Sequence, residues 1–302
     1  MPAARKHPEL KDFVRTKSPS MRTLLQTVEK ILDHDVNILL LGESGTGKDF
    51  LAEAIHACGR RREKPLVRID CAAIPADLFE AEIFGFEKGT FTDAVSRKVG
   101  KLEMAQGGTI YFDAVTSLTP KLQAKLLRAI QDHSFTRLGG HEAVPFDSRI
   151  ISSSSISVES LRNDLLYRIN VVTLTIPPLR ERREDIPQLA KTFVMRRKTI
   201  DDRAMQLLCE HRWPGNVREL RNVIDRAVLL EESDVITPKS LPEFTDDPVE
   251  AAAELQWTLE QLEARYIREV LRQTRQNYSR AAGILGINRK TLLEKRRKYG
   301  IE

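Results

Sequence analysis

The sequence predicts an α/β fold: a doubly wound parallel sheet, then a helical subdomain, then a small all-α unit at the C-terminus. Three observations carry that expectation. Short apolar runs alternate with segments of helical period as far as Ile176, strand-like runs cease after Pro177 and Pro178, and the basic excess of the chain is confined to its last segment. Alternating strand and helix signals are the pattern of a parallel sheet covered on both faces, because each parallel crossover needs a helix.

The expected strands, in order, are Ile38 to Leu41, Leu66 to Ile69, Thr109 to Phe112, Arg149 to Ile151 and Val171 to Ile176. The first is an uninterrupted Ile-Leu-Leu-Leu, as expected of a central strand with no solvent face. Helices are expected near Arg183 to Arg197, Asp201 to His211 and Val217 to Glu231. The stretch Thr237 to Asp247, with Pro248 after it, is rich in proline and acidic residues and reads as a linker. Beyond it, Leu259, Leu262, Tyr266, Ile267 and Val270 keep a helical spacing, and two shorter helices flank a turn at Gly286. The expected boundaries are residues 1–178 for the sheet, 179–240 for the helical subdomain, 241–256 for the linker and 257–302 for the C-terminal unit.

A chain of 302 residues can bury a sizeable core and divide into more than one folding unit. At 41% apolar and 30% charged residues it is too apolar to be disordered. It has no run approaching the roughly 18 apolar residues of a membrane span, and no apolar signal core near Met1. A cytoplasmic protein without a membrane partner is expected. Cys58, Cys71 and Cys209 lack the paired spacing of a zinc site or disulfide framework and read as buried thiols. Trp257 to Glu302 holds 11 Lys and Arg against 5 Asp and Glu, a net of +6 where the whole chain carries +5. A phosphate-backbone partner is expected there.

Gly42-Glu43-Ser44-Gly45-Thr46-Gly47-Lys48 fits G-x-x-x-x-G-K and lies between an apolar strand and a helical segment. Glycines let the backbone wrap closely around phosphates, helix N-terminal amides point at them, and Lys48 adds a point charge. Asp49 stands where the general motif has a hydroxyl for magnesium. Asp113, at the carboxyl end of the run Gly108 to Phe112, is the candidate that holds Mg2+ for a bound ATP.

The sequence resembles the AAA+ domain of bacterial enhancer-binding proteins, the sigma-54-dependent transcription activators. The marks are GESGTGKD (42 to 49), FGFEKGTFTDA (84 to 94), GGTIYFD (107 to 113), LRNDLLYR (161 to 168), PPLRERREDI (177 to 186) and WPGNVREL (213 to 220). The resemblance runs from Ser18 to the C-terminus, which leaves no N-terminal sensory domain to be expected. It implies that Asp49 is normal for the family. It also implies that Arg162 and Arg168 are arginine fingers reaching the γ-phosphate of ATP in a neighbouring subunit, and hence a ring-forming homo-oligomer of six. Arg218 matches the lid arginine that reads the nucleotide. Guanidinium suits these roles because it stays charged and grips phosphate in a bidentate way.

Four departures bear on mechanism. Where the resemblance places a water-polarising glutamate, the residue is Ala114; the asparagine that switches that glutamate is Asp70; and the first-sensor asparagine is a serine within Ser152 to Ser155. The fourth lies in the loop that touches sigma-54, where Gly-Ala-Phe-Thr-Gly-Ala reads Gly89, Thr90, Phe91, Thr92, Asp93 and Ala94, so contact with sigma-54 RNA polymerase is in question. ATP binding with weak hydrolysis is expected, since loss of a general base costs about 10²- to 10⁴-fold in rate. Two alternatives stay open: an active ATPase in which Asp70 has taken over, and a metabolic kinase or ATPase on the same phosphate loop.

Ser279 to Ile287, followed by Asn288-Arg289-Lys290-Thr291-Leu292, has the logic of a helix-turn-helix, and it resembles the Fis-type module of the same proteins. Asn288 is expected to cap the second helix, placing Arg289, Lys290 and Thr291 where base edges are read. Lys295, Arg296, Arg297 and Lys298 fit phosphate contacts. Trp257 to Thr274 reads as the helix pairing two copies, so a dimer on palindromic double-stranded DNA, an enhancer or operator, is expected.

Overall fold

The computed structural model describes residues 10, 14–91, 94–155, 157–195, 198–244, 257–274 and 276–301. It divides into two compact units, Met1–Leu241 and Pro242–Glu302.

The first unit is built on five parallel strands: β1 (Ile38–Leu41), β2 (Leu66–Asp70), β3 (Thr109–Asp113), β4 (Arg149–Ser154) and β5 (Val172–Thr175). Their order is β2-β3-β4-β1-β5, so β1 lies inside the sheet, between β4 and β5. This matches the sequence expectation, each strand falling within three residues of the predicted run. Successive side chains alternate between two cores. Leu39, Ile110, Phe112 and Ile150 face helices α3 (Ala76–Phe84), α4 (Pro120–Asp132) and α5 (Asn163–Ile169). Ile38, Leu40, Tyr111 and Ile151 face α1 (Pro19–Ile31) and α2 (Lys48–Cys58). Strand period two thus covers both faces with helices.

Local chemistry sets the helix boundaries. Thr119 accepts a hydrogen bond from the Leu122 amide and Pro120 occupies the first turn, which starts α4; His133 in the left-handed region ends it. Pro19 likewise opens α1, whose Met21, Leu24 and Val28 form one buried stripe.

The helical subdomain comprises α6 (Ile186–Phe193), α7 (Asp202–Glu210) and α8 (Asn216–Leu230). α6 starts later than predicted because Leu179–Glu181 and Arg183–Asp185 are 3-10 turns. Strands have not ceased here: Thr199–Ile200 pairs in parallel with Val235–Ile236. Two-residue strands carry no readable period. The antiparallel pairs Gly85–Phe86 with Lys98–Val99, and Ser134–Thr136 with Ala143–Pro145, have strands of two and three residues, likewise too short to show alternation in the sequence. The start of the stretch read as linker is folded: Thr237 and Ser240 form a capping box, Leu241 is buried, and the Ser240 hydroxyl with Ser233 holds the Glu231 carboxyl down at about 2.

None of the three cysteines forms a disulfide; Cys71 is buried as expected, whereas Cys58 and Cys209 are half-buried. Among the described residues no helix is long and apolar enough to cross a membrane.

The second unit packs α9 (Leu259–Gln273), α10 (Tyr278–Leu285) and α11 (Arg289–Lys298) around Ile267, Val270, Leu271, Ala281, Ala282 and Leu292. Alanines at the contact let helices approach closely, and Gly286 at φ 66 makes the turn between α10 and α11.

Candidate functional site

The loop Gly42 to Gly47 joins β1 to α2, with Gly45 and Gly47 in the left-handed region at φ 76 and 102. The Lys48 Nζ donates to the Gly42 carbonyl at 2.8 Å and the Glu43 carbonyl at 3.0 Å, folding the ammonium across the loop. Burial pushes the Lys48 pKa down, opposed by the charges of Asp113 and Asp49. Glycine backbone, helix N-terminus and lysine together form an anion cradle.

The helical subdomain clasps four consecutive loop residues. Glu43 receives a bidentate pair from Arg180 at 2.6 and 2.7 Å, which with a bond from Asn216 holds its carboxyl below the usual range. The Ser44 carbonyl accepts from Asn216 Nδ2, and the Ser44 hydroxyl from Arg218 Nη1 at 2.9 Å. The Gly45 carbonyl accepts the amides of Val217 and Arg218, at the N-terminal end of α8. The Thr46 carbonyl accepts from Arg182, a buried guanidinium. Asn216 is the hub: fully buried at φ 55, it also accepts from the Leu179 amide at 2.7 Å. Trp213, just before it, has φ 55 as well. Two left-handed non-glycine residues cost on the order of 1–2 kcal/mol each and persist only where surroundings over-determine them. Sequence reasoning singled out Arg218 and missed Asn216, Arg180 and Arg182; the positions lay inside the quoted marks, but side-chain direction did not.

Asp113 and Asp49 converge on the phenol of Tyr111, which donates to Asp49 Oδ1 at 2.7 Å and lies 3.3 Å from Asp113 Oδ1. Asp113 Oδ1 also accepts from the Ser153 hydroxyl and from the Ala114 amide at 3.0 Å. Burial pushes the Tyr111 phenol up, so it stays a donor. Ala114 is at φ 51, its methyl carrying no polar group toward the site. Asp70 is the register partner of Asp113 on β2, but its Oδ1 accepts the amides of Ala72 and Ala73 at 3.0 Å. Of the serine run, Ser154 bonds the Ser157 carbonyl and Thr116, while the buried Ser152 hydroxyl has no partner among the described residues.

In the second unit the Asn288 side chain accepts from the Thr291 amide at 2.8 Å, capping α11, and Arg289 and Lys290 are exposed on its first turn. Lys295 and Arg296 are engaged internally: Lys295 pairs with Glu263 at 2.6 Å. Arg296 donates to the Ile301 carbonyl at 2.8 Å and the Tyr278 hydroxyl at 3.0 Å, with its guanidinium 5.4 Å from the Tyr278 ring centre. Arg296→Ala is therefore expected to destabilise this unit by about 1–3 kcal/mol, while Arg289→Ala changes its stability by less than ~0.5 kcal/mol. Hydrogen exchange of α10 and α11 amides in the full chain measures both.

Residues 14–175 match the family described as the sigma-54 interaction domain, 180–257 the AAA+ ATPase lid domain, and 258–299 the bacterial regulatory protein Fis family. The chain belongs to the sigma-54-dependent activator family. Regulatory protein AtoC of Escherichia coli K12 is 40% identical over 313 residues, covering 96% of this chain and 68% of that protein. The transcriptional regulatory protein ZraR of Klebsiella oxytoca is 42% identical over 296 residues, covering 92% and 67%. The crystal structure of NtrX from Brucella abortus in complex with ATP superposes with a TM-score of 0.70 at 33% identity, covering 98% of this chain and 71% of that one. Membership in the sigma-54-dependent activator family makes the chain a transcription regulator with a Fis-type DNA-binding unit, and displaces the metabolic-kinase alternative.

Arg162 caps the start of α5 with its amide held by Gln123 Oε1 at 2.8 Å, and its guanidinium pairs with Asp164 at 2.8 Å; Arg168 is exposed in the last turn of the same helix. Neither bonds the phosphate loop of its own chain among the described residues. In the loop that begins at Gly89, the Gly89 amide donates to the Ala94 carbonyl at 2.9 Å, Thr90 Oγ1 donates to the carbonyls of Glu87 and Leu138, and Phe91 is exposed with its ring edge-on to Phe86 at 4.8 Å. Beneath it the buried Arg137 bonds Glu87 and Glu103. Thr92 and Asp93 lie outside the described residues.

Proposed function

We propose that this chain is a sigma-54-type transcription regulator that binds ATP in the Gly42 to Lys48 cradle, assembles into a ring-forming homo-oligomer and hydrolyses the nucleotide slowly. The observation that carries the reading is Ala114: the residue after Asp113 has a methyl where the mechanism needs a base, and its amide is already bonded to Asp113. The binding half has support of its own, in the clasped loop and in the likeness to NtrX in complex with ATP.

In this reading Gly42, Glu43, Ser44, Gly45, Thr46, Gly47 and Lys48 surround the phosphates, and Arg218 leaves Ser44 for the nucleotide. Arg162 and Arg168 reach a neighbour's γ-phosphate. Asp113, with Asp49 beside it, fits Mg2+: both offer hard carboxylate oxygen, and the phenol of Tyr111 ties them together. Among the described residues no cluster of three acidic, His or Cys side chains exists, so a cation here would complete its shell with phosphate and water, the usual habit of Mg2+. When bound it would screen the phosphate charge; the protein's part is to hold the two carboxylates. Arg289, Lys290 and Thr291 would read base edges of double-stranded DNA as a dimer, with phosphate contacts from groups near them, and Phe91 would meet sigma-54 polymerase.

The test pairs ATP binding and steady-state phosphate release on purified oligomer with transcription by sigma-54 polymerase and by polymerase carrying another sigma factor. Tight binding with turnover depressed about 10²-fold or more supports the reading. Turnover typical of an active AAA+ enzyme sinks it.

A further inference from the structure

We infer that Tyr111 and Ser153 are positioning residues that bind Asp49 and Asp113 into one rigid two-carboxylate face for the cation that accompanies the nucleotide. The inference rests on the reading of Gly42 to Lys48 as an ATP cradle and adds residues that the phosphate-loop marks do not include.

The strand geometry places them. Tyr111 and Asp113 are two residues apart on β3, so their side chains leave the same face of the sheet, the face covered by α2. Asp49 is the second residue of α2, and the Tyr111 phenol stands between the two carboxylates. Ser153 comes from the adjoining strand β4, where it is fully buried and donates to Asp113. Asp113 Oδ1 thereby receives the Ser153 hydroxyl and the Ala114 amide and has the phenol beside it, while Asp49 Oδ1 receives the Tyr111 hydroxyl. Among the described residues Oδ2 of each carboxylate has no such partner. One oxygen of each acid is fixed by the protein and the other is left for a cation or its water.

Two like charges held this close would otherwise swing apart; a phenol and a hydroxyl that donate to them remove the need. Fixed ligands matter most for an ion as geometrically demanding as Mg2+. Removing groups that orient a metal ligand typically costs 10- to 100-fold in metal affinity.

The experiment titrates a fluorescent ATP analogue into the full chain in EDTA and at rising Mg2+, for wild type, Tyr111→Phe, Ser153→Ala and the double variant, with thermal melts confirming that each is folded. Each single variant is expected to raise the Mg2+ concentration at half-effect by roughly tenfold, with analogue affinity in EDTA changed less than about twofold. A merely structural role would instead weaken binding equally in EDTA and in Mg2+, and that result overturns the inference, as does an unchanged Mg2+ half-effect in both single variants. A wild type that binds the analogue equally with and without Mg2+ also overturns it, leaving the ATP reading intact. A wild type that binds no analogue under either condition overturns both. Should one variant fail to fold, the other decides.

Discussion

Ala114→Glu is expected to raise ATP turnover by about 10²-fold or more at saturating nucleotide, the lower part of the range for restoring a general base. The position is ready for the side chain. Ala114 already holds a left-handed backbone with φ 51 and ψ 48, so the steric cost of a Cβ is present and a longer side chain adds little to it. Its amide stays bonded to Asp113 Oδ1, which anchors the start of the new side chain beside the candidate cation ligand. The competing explanation is that Asp70 already serves as base. Its carboxylate is held in a turn by the amides of Ala72 and Ala73, and an asparagine there can accept the same two bonds. Asp70→Asn should therefore preserve the fold and leave the slow wild-type rate unchanged. Phosphate release measured for both variants decides the matter: if Ala114→Glu gives no gain and Asp70→Asn abolishes turnover, Asp70 is the base.

What could be read from the sequence, and what could not, divides along the range of the interactions. The β1 run Ile-Leu-Leu-Leu declared a strand with two covered faces, and the spacing of Gly42, Gly45, Gly47 and Lys48 declared a cradle, because both signals are local. The turn at Gly286 and the Asn288 cap were legible for the same reason. Contacts between strands or subdomains were not. Ser153 stood in a run of four serines with nothing to mark it, and only the pairing of β3 with β4 brings its hydroxyl onto Asp113. Tyr111 read as one more apolar strand residue, yet its hydroxyl joins a helix N-terminus to a strand end. The partners of Lys295 and Arg296 were equally illegible, because charge counts cannot show that Glu263, Tyr278 and the Ile301 carbonyl engage them. Composition gives the sign of a surface; partners give its function.

Gly45→Ala is expected to lower ATP affinity by roughly 10²-fold or more and to loosen the helical subdomain. The residue sits at φ 76, where a side chain costs on the order of 1–2 kcal/mol. A Cβ there would also lie 2.3 Å from the Gly215 carbonyl oxygen and 3.2 Å from the Arg218 Cβ, and a backbone oxygen cannot swing aside as a flexible side chain does. Relieving that clash moves the start of α8 away, and the Gly45 carbonyl loses the amides of Val217 and Arg218. Two such bonds are worth about 1 kcal/mol each, which with the backbone cost gives about 3–4 kcal/mol, or at least two decades of affinity. Gly47→Ala is the control that separates loop strain from subdomain displacement. Its φ of 102 is also left-handed, but nothing lies within 4 Å of an added Cβ. Both variants should bind ATP less well, whereas only Gly45→Ala should raise hydrogen exchange at the Val217 and Arg218 amides. Wild-type protection at those amides in Gly45→Ala would show that the clasp on the phosphate loop does not depend on close approach at Gly45, and the coupling argued from it would fail.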